Sequence, residues 1–175
     1  MNKQIILDNL RCIPDFPKKG INFRDVTTLY KNAECMKAMT DDLYELYKDK
    51  GITKIVGIES RGFVMAAALA VQLGAGVVLA RKPGKLPATV IKESFSKEYG
   101  VDTVELHIDA INENDVVLIH DDLLATGGTA MATYKLVQHF HPKKTYINFI
   151  IEITDEGLHG RDIFKGIDLT TLVTI

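Results

Sequence analysis

Two adjacent carboxylates followed by a glycine- and threonine-rich turn are the residues of this 175-residue chain best suited to chemistry. Asp121 and Asp122 follow the apolar run 116–119, and segment 125–129 then reads Ala-Thr-Gly-Gly-Thr. Carboxylates accept hydrogen bonds from a sugar diol or bind a divalent metal ion. Backbone N–H groups at the start of a helix attract anions. The pattern therefore predicts a ribose 5-phosphate, with its diol at the aspartates and its phosphate in the turn.

The neighbouring residues indicate how this turn is positioned. The run before it is typical of a buried parallel strand, predicted over 115–120, and a helical pattern over 128–139 follows. The turn lacks the Gly-Lys-Ser/Thr of a Walker loop and the G-x-G-x-x-G of a dinucleotide site. An ordinary strand–turn–helix connection is the structural alternative.

Two further segments could bind anions. Segment 57–62 reads Gly-Ile-Glu-Ser-Arg-Gly between a predicted strand and helix, although Ser60 could simply cap that helix. Arg81, Lys82 and Lys85 follow another predicted strand. Fixed cations there would stabilise negative charge on a leaving group, the alternative being a solvated basic loop.

The long polar segment 82–102 is predicted to be a mobile lid. It has no core periodicity, and two glycines and two prolines bracket its charged centre. A structureless stretch of this length is uncommon inside a compact domain and usually covers a binding site.

Composition excludes several functional classes. The 21 basic and 23 acidic residues give a net charge of −2, so general nucleic-acid binding is not expected. Segment 62–80 is uncharged, but Gly74 and Gly76 divide it into a buried helix and a strand, so no membrane span is expected. Cys12 and Cys35 lack metal-site spacing and are expected to stay reduced in a cytoplasmic protein.

The pattern of elements predicts one α/β domain over residues 1–175, with a doubly wound, mostly parallel sheet flanked by helices. Residues 12–25 read as irregular. Helices are predicted over 2–11, 33–49, 62–73, 128–139 and near 155–163, and strands over 53–58, 77–80, 103–108, 115–120, 145–151 and 167–174.

Five segments in the same order resemble type I phosphoribosyltransferases, and specifically the adenine-specific members of that family. They are residues 14–25, 57–63, 81–87, 98–100 and 121–129. The resemblance implies the type I phosphoribosyltransferase fold and the conversion of adenine and phosphoribosyl diphosphate (PRPP) to AMP and pyrophosphate. His120 departs from the family pattern, where an apolar residue is expected. We predict a structural histidine, and its proximity to Asp121 leaves a role in the ribose site open as the alternative.

The resemblance also implies a role for each matching residue. Ribose and 5′-phosphate would be bound by Asp121, Asp122, Ala125, Thr126, Gly127, Gly128 and Thr129. Pyrophosphate would be bound by Glu59, Ser60, Arg61, Arg81, Lys82 and Lys85, with the Glu59–Ser60 peptide often cis. A hood formed by 12–25 would contact adenine through Asn22, Phe23 and Arg24. Catalytic roles fall to Arg81 and to Glu98, which would handle the proton at adenine N7, while Tyr99 would help close the lid.

Further expectations follow from the same resemblance. The cofactor would be Mg²⁺, bound mainly through PRPP and pyrophosphate oxygens rather than by a protein metal site, and the protein would be a homodimer. Two alternatives stay open: a phosphoribosyltransferase for hypoxanthine, guanine or xanthine, and a non-catalytic regulator that senses PRPP or a nucleotide on the same fold.

Overall fold

The computed structural model describes residues 3–97, 100–154 and 157–175. In chain order the elements are α1 (Lys3–Asn9), β1 (Arg11–Ile13), β2 (Phe23–Asp25), α2 (Thr27–Tyr30), α3 (Ala33–Tyr47), β3 (Lys54–Ile58), α4 (Gly62–Leu73), β4 (Gly76–Ala80), β5 (Val90–Lys97), β6 (Gly100–His107), β7 (Val116–Leu124), α5 (Gly128–Gln138), β8 (Lys144–Glu152), a 3₁₀ helix (Gly160–Phe164) and β9 (Leu169–Thr174).

A five-stranded parallel sheet in the order β4-β3-β7-β8-β9 forms the centre of the molecule. Successive side chains of a strand point to opposite faces. Leu118 accordingly packs in the core with α3 and α4, whereas Ile119 packs in the core with α5. The predicted doubly wound α/β fold is confirmed, and β7 is its central strand.

The uncharged segment 62–80 forms α4 and β4, as predicted. Met65, Ala66 and Leu69 of α4 are buried against the sheet, and Gly74 ends the helix in the left-handed conformation at φ 67°. Within the described residues, no helix is both long and apolar enough to cross a bilayer.

The N-terminal segment is more regular than the sequence predicts. Strands β1 and β2 pair antiparallel, with Arg11 opposite Asp25 and Ile13 opposite Phe23. The Arg11 guanidinium also forms an ion pair with the Asp25 carboxylate. The prediction that residues 12–25 are irregular was therefore wrong at both ends of the segment. Cross-strand pairing and this ion pair hold those ends in regular strands.

The predicted lid is a β-ribbon instead of a structureless loop. Strands β5 and β6 pair antiparallel from Val90 opposite His107 to Lys97 opposite Gly100. The ribbon lies over α5, where Phe95 contacts Gly128 and Glu93 forms a 3.4 Å ion pair with Lys135. Contacts with α5 on one side stabilise the ribbon. Its sequence therefore needs no strong alternation of apolar and polar residues, which is why β5 was not predicted.

Strand β7 extends beyond its predicted end. Its pairing with β8 continues through Asp121 opposite Phe149 to Leu124 opposite Glu152. Both aspartates consequently lie inside the strand and not after it, because the ladder and the burial of Leu124 keep the backbone extended. Their side chains therefore leave the sheet on opposite faces.

Candidate active site

Two cavities meet at the carboxyl ends of β3, β4 and β7. The first, of about 230 Å³, is lined by residues that include Glu59, Arg61, Arg81 and Lys82, and we call it the cationic cavity. The second, of about 150 Å³, is lined by all of residues 125–129, and we call these residues the phosphate loop and this space the loop cavity. Asp121 and Thr129 line both cavities. Openings between parallel strands at this edge are where α/β proteins bind ligands.

The phosphate loop leads directly into α5. Gly127 adopts the left-handed conformation at φ 78°, and the helix begins with the Met131 N–H donating to the Gly127 carbonyl over 2.9 Å. The first backbone N–H groups of a helix have no partner inside it, and the helix dipole is positive at this end. The loop cavity is therefore suited to a phosphate monoester.

Asp121 is the carboxylate that borders both cavities. Its Oδ1 accepts the backbone N–H of Asp122 over 2.9 Å, and its side chain is half-buried. Burial, together with the negative charge of Asp122, raises the pKa of Asp121 well above its ordinary value. A partner that donates hydrogen bonds or brings positive charge would favour the ionised form of this carboxyl.

Asp122 points to the opposite face and is bound by Arg61. The Arg61 Nε donates to the Asp122 Oδ2 over 2.5 Å, and only 3% of the Asp122 side chain is exposed. Burial lowers the pKa of Arg61, but the adjacent Asp122 charge outweighs it and raises that pKa. The Tyr30 hydroxyl donates to the Arg61 carbonyl over 3.2 Å, which fixes the start of α4 as well.

The Glu59 carboxylate binds the basic residues of the cationic cavity. Its carboxylate accepts from the Lys85 ammonium, from the Lys82 backbone N–H at 2.9 Å and from the Arg81 Nε at 3.3 Å. Burial would raise the pKa of Glu59, but these three partners lower it to about 2. The peptide bond between Glu59 and Ser60 is cis. Glu59 therefore holds the basic residues at the cavity wall.

Gly62 allows α4 to approach β7 at the acidic pair. A Cβ on Gly62 would lie 2.7 Å from the His120 carbonyl oxygen and 2.9 Å from the Asp121 Oδ1. Both distances are shorter than real Cβ contacts, so a side chain here would displace the strand or the carboxylate.

Phe23, one of the three predicted adenine residues, lies beside Arg61. The Phe23 ring has the Arg61 guanidinium carbon 5.9 Å from its centroid, and Phe16 packs edge-on against it at 5.2 Å. Arg24 is buried, and its Nη1 donates to the Asn22 carbonyl over 3.1 Å. Arg61 thus connects the predicted hood to the acidic pair.

Known proteins resemble this chain both in its domain and over its full length. A phosphoribosyl transferase domain model matches residues 25–157. An adenine phosphoribosyltransferase from Phocaeicola vulgatus is 62% identical over 176 aligned positions, covering 100% of both chains. This chain belongs to the adenine phosphoribosyltransferase family.

Solved structures of the family share the whole fold. The adenine phosphoribosyltransferase of Thermoanaerobacter pseudethanolicus superimposes with a TM-score of 0.92 at 41% identity, covering 98% of this chain and 99% of that one. The Saccharomyces cerevisiae enzyme, complexed with adenine and D-2,5-dideoxy-2,5-imino-altritol 1,6-bisphosphate, gives 0.89 at 36% identity, covering 97% of each. The chain is therefore a transferase of purine salvage with the type I phosphoribosyltransferase fold.

The structure does not describe two of the predicted site residues of this family. Glu98 and Tyr99 lie outside the described ranges. The strand that follows them does reach the site, because Asp102, Thr103 and Val104 of β6 line the cationic cavity. The sequence analysis did not assign these three residues to the site: it placed Asp102 in the polar segment 82–102, and it predicted a strand over 103–108 without a role for Thr103 or Val104.

His120, the departure from the family pattern, is a fully buried histidine. Its Nδ1 lies 3.0 Å from the Asn148 Oδ1, and the Asn148 amide nitrogen donates to the Thr170 carbonyl and hydroxyl. A carbonyl only accepts, so the amide orientation is fixed and the His120 Nδ1 carries the proton. Burial lowers the pKa of His120 to about 4, so the ring is neutral near pH 7. The structural role predicted for His120 fits these contacts.

Proposed function

We propose that the two adjoining cavities form one site that transfers the phosphoribosyl group of PRPP to adenine, giving AMP and pyrophosphate. The observation that carries this proposal is the sharing of Asp121 and Thr129 between a cation-lined space and a helix-start space. PRPP has a diphosphate at C1′, a monophosphate at C5′ and a diol between them. A molecule with two anionic ends matches two anion sites that meet at a carboxylate.

The role of each residue is part of the proposal. Asp121 takes the ribose hydroxyls at the border of the two cavities, and Asp122, which is bound by Arg61 on the other face of the strand, joins it when that ion pair opens. The phosphate loop takes the 5′-phosphate, and the diphosphate lies against Arg61, Arg81 and Lys82. Lys85 adds a further positive charge beside the diphosphate. Glu59 acts as the carboxylate that positions Lys85, Lys82 and Arg81. Ser60 contributes backbone at the start of α4.

The chemistry follows from this placement of charge. Adenine N9 attacks C1′ as the C1′–diphosphate bond breaks, through a state with positive charge on the ribose ring. Fixed cations that face the departing diphosphate stabilise this state because they need no reorganisation. Arg81, which contacts Glu59 and donates to the Lys85 carbonyl over 3.1 Å, is held for that purpose. Glu98 is assigned to the proton at adenine N7.

Magnesium fits the donors available at this site. Among residues 3–97, 100–154 and 157–175, no cluster of three or more histidine, cysteine or acidic side chains could hold a metal ion. Asp121 is the carboxylate between the cavities, and the substrate would supply the remaining oxygens. When bound, Mg²⁺ would neutralise diphosphate charge.

A homodimer and a cytoplasmic location, which the resemblance implies, belong to the same proposal.

Base specificity is assigned to the N-terminal hood. Phe23 offers a ring next to Arg61, and backbone groups at Asn22 and Arg24 can read the edge of a purine. The experiment is an assay of adenine, hypoxanthine, guanine and xanthine with PRPP and Mg²⁺. The proposal predicts AMP formation from adenine far in excess of any other nucleotide. Faster turnover of hypoxanthine would contradict it, and PRPP binding without any nucleotide formed would favour the regulator.

A further inference from the structure

The phosphate loop is packed against the 3₁₀ helix Gly160–Phe164. Gly160 lies so close to the loop that an added Cβ would be 2.0 Å from the Ala125 carbonyl oxygen. A Cβ on Gly127 would be 2.8 Å from the Phe164 Cε2 and 3.0 Å from the Gly160 carbonyl oxygen. Two glycine backbones in contact leave the loop little freedom to shift. The position of the 3₁₀ helix therefore determines the path of the phosphate loop.

Arg161 holds this short helix on the sheet. Its Nε donates to the Glu152 Oε1 over 2.7 Å, and its Nη2 donates to the other oxygen of the same carboxylate. The guanidinium also donates to the Leu169 carbonyl and to the Thr171 hydroxyl, each over 3.3 Å. A five-residue 3₁₀ helix has few bonds of its own, so contacts to β8 and β9 must hold it.

The carboxylate that Arg161 binds is itself next to the loop. Glu152 ends β8 and lies opposite Leu124, the residue immediately before the phosphate loop. The Ile153 N–H, one residue further on, donates to the Leu124 carbonyl over 3.0 Å. One guanidinium therefore connects to the loop by two routes, through the 3₁₀ helix and through the end of β7.

Both the geometry and the burial of the Arg161–Glu152 ion pair favour a strong interaction. Glu152 is 5% exposed, and the Arg161 hydrogen bond lowers its pKa. The two parallel N–H···O contacts require the planar fork of arginine, which lysine does not have. Among the described residues that line the two cavities, Arg161 does not occur, so it does not contact the space for the ligand.

We propose that Arg161 is a positioning residue for the 5′-phosphate, acting through Glu152 and the 3₁₀ helix on the phosphate loop. This inference rests on the proposed function, because it takes the loop to be the 5′-phosphate site. The diphosphate and adenine residues lie on other elements, so Arg161 acts on one end of PRPP.

The test is steady-state kinetics of Arg161→Met and Arg161→Lys with PRPP and adenine varied in turn. Displacement of a binding group by about an ångström can cost up to about 100-fold. In Arg161→Met, the KM for PRPP and the inhibition constant of AMP rise at least about tenfold. The KM for adenine stays near the wild-type value. Arg161→Lys recovers part of the loss, since it restores the charge without the fork.

Lys144→Met is the matched control. Lys144 begins the same strand, β8, and forms a 2.5 Å ion pair with Asp168 at the opposite end of the sheet. This variant keeps both KM values. Thermal melting of every variant checks folding, and if Arg161→Met is unfolded at the assay temperature, Arg161→Lys and Thr171→Val provide the comparison.

Two results would overturn the inference. A folded Arg161 variant with an unchanged KM for PRPP would remove the residue from 5′-phosphate binding. An equal rise in both KM values would show a general structural role. Wild-type enzyme that forms no AMP would instead overturn the proposed function, and this inference with it.

Discussion

The Arg61 Nε donates to the Asp122 Oδ2 over 2.5 Å, and this contact joins the loop after β3 to strand β7. Arg61 is the residue immediately before α4, whereas Asp122 lies within β7. The same guanidinium lies 5.9 Å from the Phe23 ring centroid, in the N-terminal hood. One ion pair therefore connects the proposed diphosphate, ribose and adenine parts of the site.

Asp122→Asn is expected to weaken the binding of both PRPP and AMP. The change removes a charged acceptor for ribose hydroxyls and releases Arg61 from its partner. A hydrogen bond to a charged group contributes about 1.5–3 kcal/mol, so both affinities fall roughly 10- to 100-fold. Titration calorimetry measures them, with Asp41→Asn as control because Asp41 pairs with Lys37 on the surface of α3. Unchanged affinity for both ligands would contradict the diol assignment.

Glu59→Gln is expected to impair use of the diphosphate. An amide cannot hold Lys85, Lys82 and Arg81 as the carboxylate does, so the cations lose their fixed positions. We expect kcat/KM for PRPP to fall at least about tenfold, while the KM for adenine changes little. Glu45→Gln is the control, because Glu45 pairs with Lys48 over 2.6 Å on the exposed side of α3. A Glu59→Gln enzyme with the wild-type kcat/KM for PRPP would show that the basic residues do not need the Glu59 carboxylate to position them.

Gly62→Ala is expected to damage the site and the fold together. The new Cβ would meet the His120 carbonyl at 2.7 Å and the Asp121 carboxylate at 2.9 Å. Overpacking of this kind costs about 1–3 kcal/mol, which chemical denaturation measures. Gly76→Ala is the control, since its nearest neighbour is the flexible end of Lys54 at 3.3 Å. Equal stability of the two variants would show that α4 can move away from β7.

The buried His120 is expected to make folding stability depend on pH. Its pKa is about 4 in the fold against an ordinary 6.5, so the unfolded chain binds the proton first as pH falls. The contribution is complete above pH 6.5 and is lost between pH 6.5 and 4, by on the order of 3 kcal/mol.

His120→Asn separates this contribution from the other acidic groups. The amide keeps a donor for Asn148 but does not titrate. We expect denaturant unfolding at several pH values to show a flatter profile in this variant between pH 4 and 6.5. Parallel profiles for wild type and variant would mean that the native state binds the His120 proton as readily as the unfolded chain does, which contradicts the lowered pKa.

Much of this architecture can be read from local sequence pattern. The apolar runs at 53–58 and 115–120 predict parallel strands, and the turns after them predict anion sites. These signals are local because a buried strand and a helix start each depend on a few consecutive residues. The central sheet and the identity of its terminal loops follow from them.

The remaining features depend on contacts between distant residues. Strands β1 and β2, like β5 and β6, are short or polar pieces that become regular through antiparallel pairing. The Glu152–Arg161 ion pair has no spacing signal that marks it as part of a phosphate site. Its relevance appears only because Gly160 packs on the phosphate loop.

The most direct measurement is a crystal structure of the enzyme with AMP and pyrophosphate bound. The proposed site predicts the 5′-phosphate against the backbone of the phosphate loop, the ribose hydroxyls at Asp121 and Asp122, and pyrophosphate between Arg61 and Arg81. AMP density that leaves the loop cavity empty, or pyrophosphate bound away from Arg81 and Lys82, would contradict the account of two cavities acting as one site.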